Sequence, residues 1–195
     1  MKKQLIIFGA GKIAEAVSYY FNRDSDYTIK AYVVDDLFAT TDSFLEKPLI
    51  KLSEVQKKYP PNDYLVFVAT GYQGMNKLRT LKYEHFKNIG YEFVSYISPY
   101  VKSNFTIGEN SIIMDNAIVQ PCVKFGNNVF IWGGAMVGHH AIIEDNCWLT
   151  GGCLIGGITK LGRSSFVGLG ATIGNEVQIG QECMIGANTL TTKSL

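Results

Sequence analysis

In Ile131-Trp132-Gly133-Gly134-Ala135-Met136-Val137-Gly138-His139-His140-Ala141-Ile142-Ile143 a large apolar residue returns at every sixth position, at Ile131, Val137 and Ile143. The spacing extends backward through Phe125, Val119, Ile113, Ile107 and Val101, and forward through Leu149, Ile155, Leu161, Val167, Ile173, Ile179 and Ile185. All fifteen of these lead positions are large and apolar, although only 47% of the chain is hydrophobic. Chance would deliver such a run about once in 10^5 trials, so the period is a structural signal. The fifth position of each six-residue unit is small in fourteen units, from Ser111, Ala117 and Val123 to Cys183 and Thr189, and only Phe105 breaks the rule. Nine units carry Gly at the second position.

A helix repeats its apolar face at spacings of three and four, so a strict six is not helical. Short strands fit it, because residues two apart share a face: each small fifth-position side chain precedes a large lead residue on one inner surface. Gly, Asn and Asp between the strands accept the positive φ of sharp corners. Three units make a triangular coil of eighteen residues, so the repeat from Val101 to Leu190 builds five coils. At about 4.8 Å per stacked strand the prism is roughly 24 Å tall. The pattern resembles the left-handed parallel β-helix of hexapeptide-repeat acyltransferases, and the resemblance supplies the handedness.

The pattern changes near residue 100, which divides the 195 residues into two domains, 1–97 and 98–195. Eighteen basic and seventeen acidic residues are scattered along the chain for a net charge of +1. No basic stripe suits nucleic acid and no polybasic patch suits a membrane surface. The N-terminal Met-Lys-Lys-Gln-Leu-Ile-Ile-Phe-Gly has an apolar run too short for a signal peptide, and no stretch is long enough to span a bilayer. Cys147, Cys153 and Cys183 fall on inward positions and Cys122 on a bend, with no metal-binding spacing; free core thiols fit a reducing cytoplasm.

Ahead of the repeat, Leu5–Phe8 reads as a buried strand followed by Gly9-Ala10-Gly11-Lys12-Ile13-Ala14 and a helix to about Phe21. Ile29–Val34 is a second strand that ends at Asp35-Asp36; Ile50–Lys58 reads as helical. Tyr64–Ala69 is a third strand, closed by Thr70-Gly71-Tyr72, and a helix from about Met75 to Ile89 leads to a strand at Phe93–Ile97. Strands alternating with helices imply a small parallel α/β domain. A Gly-x-Gly-x-x-Ala loop between strand and helix is a setting for a phosphate or sugar on backbone N–H groups; a bare tight turn is the alternative. The domain is half the size of a full dinucleotide site, so a nucleotide-sugar fits better, with Gly9, Gly11, Lys12 and Gly71 at the loop ends. Asp35 and Asp36 are placed to bind ribose or base, or are solvated turn residues.

Of three histidines, His85 lies in a polar helical stretch and is read as a surface residue. His139 and His140 occupy the third and fourth positions of the unit Val137-Gly138-His139-His140-Ala141-Ile142, at an outward corner of the prism, available to a neighbour or ligand.

An α/β domain followed by a hexapeptide β-helix resembles the bacterial nucleotide-aminosugar N-acetyltransferases and the related sialic-acid O-acetyltransferases. Ile97-Ser98-Pro99, Gln120-Pro121, Ile131-Trp132 and Val137-Gly138-His139-His140 are most similar to the GDP-perosamine N-acetyltransferase branch. The resemblance implies a Rossmann-like first domain and a cytoplasmic homotrimer with sites between neighbouring prisms. It also implies acetyl-CoA as co-substrate, no metal, and a nucleotide-linked 4-amino-dideoxysugar of surface glycan synthesis as acceptor. His139 takes the place of the catalytic base. Relatives often carry a carboxylate next to it; His140 stands there instead, which leaves the orienting partner open. Gly157, eighteen residues on, takes the place of a backbone N–H that contacts the thioester carbonyl, and Asn175 continues the same groove. Trp148 stands where some relatives have a second histidine against acetyl-CoA; the histidine contact does not carry over, and Trp148 is kept as a cofactor-side position. The loop departs from the family's Gly-x-Gly-His-Gly, which leaves the nucleotide open among UDP, GDP and dTDP. An O-acetyltransferase would use the same residues, and a non-catalytic nucleotide-sugar-binding scaffold would bind no acetyl-CoA. A γ-type carbonic anhydrase needs three converging histidines where the repeat offers an adjacent pair, and an NAD reductase leaves the prism unexplained.

Overall fold

The computed structural model of the chain describes residues 3–195, and its first strand runs through the buried apolar run Leu5–Phe8. Two units are distinguished, Met1–Gly71 with Leu81–Val94, and Tyr72–Thr80 with Ser95–Leu195. The segment Tyr72–Thr80 groups with the second unit.

In the first unit β1 (Lys3–Phe8), α1 (Lys12–Asp24), β2 (Tyr27–Val34), β3 (Ser43–Phe44), β4 (Lys47–Lys51), α2 (Val55–Lys58) and β5 (Leu65–Val68) are followed by α3 (Lys77–Asn88), which crosses the division at Thr80. The sheet order is β3-β4-β2-β1-β5, with β4, β2, β1 and β5 parallel and β3 antiparallel to β4. Ile6, Phe8, Ala31, Val33, Val66 and Val68 share one core with Phe86 and Tyr91. Strands covered by helices are near-continuous apolar runs for this reason.

Two sequence expectations are corrected. Ile50 lies in β4, not in a helix: Pro48-Leu49-Ile50 pairs with β2 through Tyr32↔Leu49 and Val33↔Ile50. The helical turn begins at Leu52, directly after β4, and the Asp36 carboxylate accepts from Ser53 N–H and Oγ at 3.1 and 2.6 Å and anchors it there. Phe93–Ile97 is not one strand of the α/β sheet: Phe93 makes a single bridge to Val66, while Tyr96–Ile97 pairs with Ile112–Ile113 in the second unit.

In the second unit the period of six becomes two-residue strands built from the sixth position of one unit and the lead of the next. They stack with a register of eighteen into three parallel sheets, such as Phe130↔Trp148 and Ile131↔Leu149, Met136↔Leu154 and Val137↔Ile155, Ile142↔Lys160 and Ile143↔Leu161. Lead residues and fifth-position residues form one core from Ile113 and Ala117 to Val177 and Ile185. The sixth positions point outward and distinguish the faces. The first face carries Ile112, Phe130, Trp148, Phe166 and Met184; the second carries Ile118, Met136, Leu154, Thr172 and Leu190; the third carries Lys124, Ile142, Lys160 and Gln178. Burial pushes the Cys147 and Cys153 thiols up to about 12, which makes both inert core residues.

The fourth position of every unit from Asn110 to Asn188 has positive φ. Asn and Gly tolerate that conformation, whereas a β-branched side chain does not, and Ile158 holds it at φ 60° with half its surface exposed. Ile158→Asn is expected to raise stability by about 1 kcal/mol, seen as a higher Tm. An unchanged or lower Tm would mean that the outward contacts of Ile158 outweigh its backbone strain.

Candidate active site

The corner between the second and third faces follows the strand Met136–Val137. Gly138 permits the coils to close there, since a Cβ on it would lie 2.5 Å from the Gly157 nitrogen. His139 and His140 come next, both exposed, with His140 in the left-handed corner at φ 59°. The coils on either side fix their backbone. His139 N–H donates to Gln120 Oε1 at 2.9 Å, His140 N–H donates to Pro121 O at 3.2 Å, and His139 O accepts from Ile158 N–H at 2.8 Å.

The two rings meet nitrogen to nitrogen, Nδ1 to Nδ1 at 3.2 Å, with their planes 84° apart. The His139 ring rests on Gly157, where a Cβ would lie 2.8 Å from Nε2 and 2.9 Å from Cε1. Gly157→Ala therefore displaces the imidazole while leaving a backbone any residue can adopt. Because a 1 Å misplacement can cost about 10²-fold, kcat/KM is expected to fall at least tenfold with Tm little changed. Full activity in Gly157→Ala would show that the resting ring pose is not the working one.

The Gly157 N–H has a partner within the prism. It is not free, because it donates to Asn175 Oδ1 at 2.7 Å. The same device recurs at the next corner, where Asn127 Oδ1 accepts from Glu109 N–H and Asp145 Oδ1 from Asn127 N–H. A third-position carboxamide or carboxylate caps the N–H one coil before it, and Asn175 does so for Gly157.

Trp148 is corrected too. It is 2% exposed, stacked on Phe130 at 4.6 Å with the planes 7° apart, and flanked by Tyr72 at 5.5 Å. The excursion Tyr72–Thr80 brings Arg79 into the same cluster, its guanidinium 5.3 Å from the Trp148 ring. Trp148 is a core residue of the covered first face, so no surface remains for a cofactor.

In the α/β unit the sheet order reverses between β1 and β5, and the crevice outside their carboxyl ends is the usual ligand position of such sheets. Gly9 and Thr70-Gly71 lie there. Gly9 must be glycine: φ is 124°, and a Cβ would lie 2.6 Å from Ala69 O. Gly11 is the N-cap residue of α1, with no side chain bonded to the first-turn N–H groups. Lys12 pairs with Glu15 at 2.8 Å on the surface. Thr70, which the sequence did not single out, has a buried Oγ1 with no hydrogen-bond partner. Asp35 and Asp36 are not open ligand groups. Asp35 pairs with Lys82, and Asp36 holds Ser53 through bonds that keep its carboxyl below the ordinary range. His85 is exposed and borders, with both acids and Gln56, a depression of about 400 Å³.

Among the described residues no group of three His, Cys, Asp or Glu is placed to hold a metal ion, and no helix is long and apolar enough to cross a membrane.

Comparison with known proteins adds to this geometry. Residues 104–139 match the family described as bacterial transferase hexapeptide (six repeats). No curated protein matches the chain in sequence. The fold is similar to the acetyltransferase domain of PglB from Neisseria gonorrhoeae, with a TM-score of 0.84 and 22% identity over 99% of this chain and 93% of that one. The same domain in complex with acetyl coenzyme A gives a TM-score of 0.57 at 22% identity, over 97% of this chain and 96% of that one. PerB from Caulobacter crescentus, in complex with CoA and GDP-perosamine, gives 0.69 at 22% identity over 100% of this chain and 91% of that one.

Proposed function

We propose that this chain is an acetyl-CoA-dependent N-acetyltransferase acting on the amino group of a nucleotide-linked 4-amino-dideoxysugar, in surface glycan synthesis. The observation that carries the reading is the His139 imidazole, exposed on a prism corner, bonded through Nδ1 and resting on a glycine. Its support is the fold shared with proteins described with CoA, acetyl coenzyme A or GDP-perosamine. The reading takes the coils as left-handed, residues 1–97 as a Rossmann-like nucleotide-sugar domain and 98–195 as the acyltransferase domain.

The nucleotide is held by the α/β unit, on the Gly9–Ala14 loop and the Thr70-Gly71 end of β5, where the first-turn N–H groups of α1 suit phosphate. Asp35 and Asp36 serve there only if Lys82 and Ser53 give them up. Acetyl-CoA runs along the corner where Gly156 and Gly157 present no side chain. The sugar amine attacks the thioester carbonyl, and His139 Nε2 takes the proton the amine sheds. Collapse of the tetrahedral intermediate expels the CoA thiolate, which His139 protonates. Gly157 N–H stabilises the oxyanion once Asn175 releases it, a contribution of about 3 kcal/mol for one such donor.

Self-association belongs to the same reading. On the second face the exposed Ile118, Leu154 and Leu190 with the half-buried Met136, interrupted by Thr172, form a largely apolar surface beside the His139 corner. Surfaces of that kind mark protein interfaces, and a homotrimer closed around it places a neighbour against each corner. The chain works in the cytoplasm, where its substrates are made.

The test is release of free CoA thiol from acetyl-CoA with UDP-, GDP- and dTDP-linked 4-amino-4,6-dideoxysugars. Turnover with one nucleotide supports the reading and assigns the nucleotide pocket. No turnover on the panel, with acetyl-CoA still bound by calorimetry, replaces the amine with a hydroxyl acceptor; no acetyl-CoA binding makes the chain a scaffold.

A further inference from the structure

Consecutive side chains of an extended segment point to opposite sides, so neighbours in sequence seldom meet. The left-handed corner at His140, φ 59°, turns its ring back beside that of His139. The two Nδ1 atoms face each other at 3.2 Å with the ring planes 84° apart, and both rings are exposed. An Nδ1 offers an in-plane lone pair whenever its ring holds its proton on Nε2. Two lone pairs at this separation repel unless a proton or a cation lies between them.

A zinc-sized ion takes imidazole nitrogen at about 2.0–2.1 Å, and two nitrogens held as these are subtend about 100° at it, near the tetrahedral angle. The observed separation is therefore the bite of a chelate. The rings, being exposed, are free to tilt both lone pairs onto one point. The backbone beneath them is already fixed, since His139 N–H donates to Gln120 Oε1 and His140 N–H to Pro121 O. Ordering on binding is thus confined to two side chains.

We infer that the His139–His140 pair is a chelating site for a borderline divalent transition cation, Zn²⁺ above all, which shuts off the corner base when bound. Both Nδ1 atoms ligate the ion and water fills its remaining positions. Imidazole suits such ions, whereas Mg²⁺ and Ca²⁺ prefer oxygen. Cys122 is an exposed free thiol one coil before His140 in the same column. It is not placed as a third ligand, because among the described residues no group of three His, Cys, Asp or Glu is so placed. Structural zinc centres close all four positions with protein ligands, so an ion on two histidines is exchangeable and inhibitory. The chemistry is exclusive: a neutral imidazole that gives its Nδ1 pair to a metal keeps its proton on Nε2, the atom that must receive the proton of the amine. His139 can ligate or act as base, not both. This consequence rests on the N-acetyl transfer reading; the chelate itself does not.

Calorimetric titration of the metal-free chain with Zn²⁺ tests the site. His85→Asn and Cys122→Ser are the controls, for an isolated surface imidazole and for an exposed thiol. Wild type and both controls are expected to bind one Zn²⁺ per chain with affinities within about threefold of each other, and Mg²⁺ is expected not to bind. His139→Asn and His140→Asn, the second of which keeps a residue suited to the positive φ, are each expected to weaken Zn²⁺ at least about tenfold. In the CoA-release assay, saturating Zn²⁺ is expected to lower wild-type kcat/KM by about 10²-fold or more, the loss of a positioned base, with full recovery on adding EDTA. Zn²⁺ affinity unmoved in His140→Asn, an equal loss in Cys122→Ser, or full turnover with the pair occupied overturns the inference. If wild type turns over no aminosugar, the titration still decides the chelate, so the failure of the substrate reading and of this inference are told apart.

Discussion

His139→Ala is expected to lower kcat/KM by about 10²–10⁴-fold, the range a positioned general base supplies. The fold should be indifferent to it. His139 is exposed, and its backbone bonds to Gln120 and Ile158 use atoms an alanine keeps. The unfolding midpoint is therefore expected to stay within a couple of degrees of wild type, which separates a chemical loss from a structural one. His139→Asn adds a control, since its amide can still hydrogen-bond to His140 but cannot take a proton. Both variants should lose kcat with little change in KM, because the imidazole acts on a proton that moves only as the amine attacks. A loss below about fivefold would end the base assignment and leave proximity as the main device. The double variant His139→Ala, His140→Gly guards against substitution of one ring by the other. It should be no worse than His139→Ala alone.

That corner was legible because burial and backbone geometry both act through the repeat. Lead and fifth positions are inward, so their size is constrained, and a histidine pair at the third and fourth positions stands out against them. Its internal hydrogen bonding was not legible, because a carboxamide such as Asn175 reads alike whether it faces a ligand or caps its own chain. Asp35 and Asp36 carry the same ambiguity: an acid after a strand looks identical whether it binds ribose or, as here, Lys82 and Ser53. Ile50 was misplaced because a short apolar run has no period of its own; pairing with Tyr32–Val34 decided it. Trp148 was misplaced for a different reason. The period says that a sixth position points out of the prism, and it is silent on what the segment Tyr72–Thr80, sixty-eight or more residues away, lays over that face.

Arg79 is the clearest case of the last kind, and its replacement is expected to have the largest effect on stability. In the sequence it is one cation in a helix full of them, and Arg is rarely buried. In the structure it is fully buried. One end of its fork bonds to Asn128 O and, at 3.0 Å, to Asn128 Oδ1; the other reaches Asn76 Oδ1 at 3.0 Å and the carbonyls of Asn146 and Cys147 at 3.2 and 3.4 Å. Those acceptors belong to a ladder in which Asn110 Nδ2 donates to Asn128 Oδ1 at 2.6 Å and Asn128 Nδ2 to Asn146 Oδ1 at 2.7 Å. The guanidinium also lies 4.7 Å from the Phe130 ring centroid. Burial pushes its pKa down to about 9, so it remains charged at neutral pH, with ring faces and carbonyl oxygens as its partners in place of a carboxylate. Arg79→Ala would leave buried carbonyls uncapped and a void beside Trp148, the situation in which loss of one buried partner costs about 3–5 kcal/mol. For a chain of this length that is a fall in Tm on the order of 10 °C, to be followed by near-UV circular dichroism, which reports the Trp148 environment directly. Arg79→Met separates the two contributions. It fills the volume but caps nothing, so it is expected to recover only part of the loss if the hydrogen bonds dominate. A loss below about 1 kcal/mol in Arg79→Ala would mean that water replaces the guanidinium among the carbonyls, and that the Asn ladder holds the corner without it.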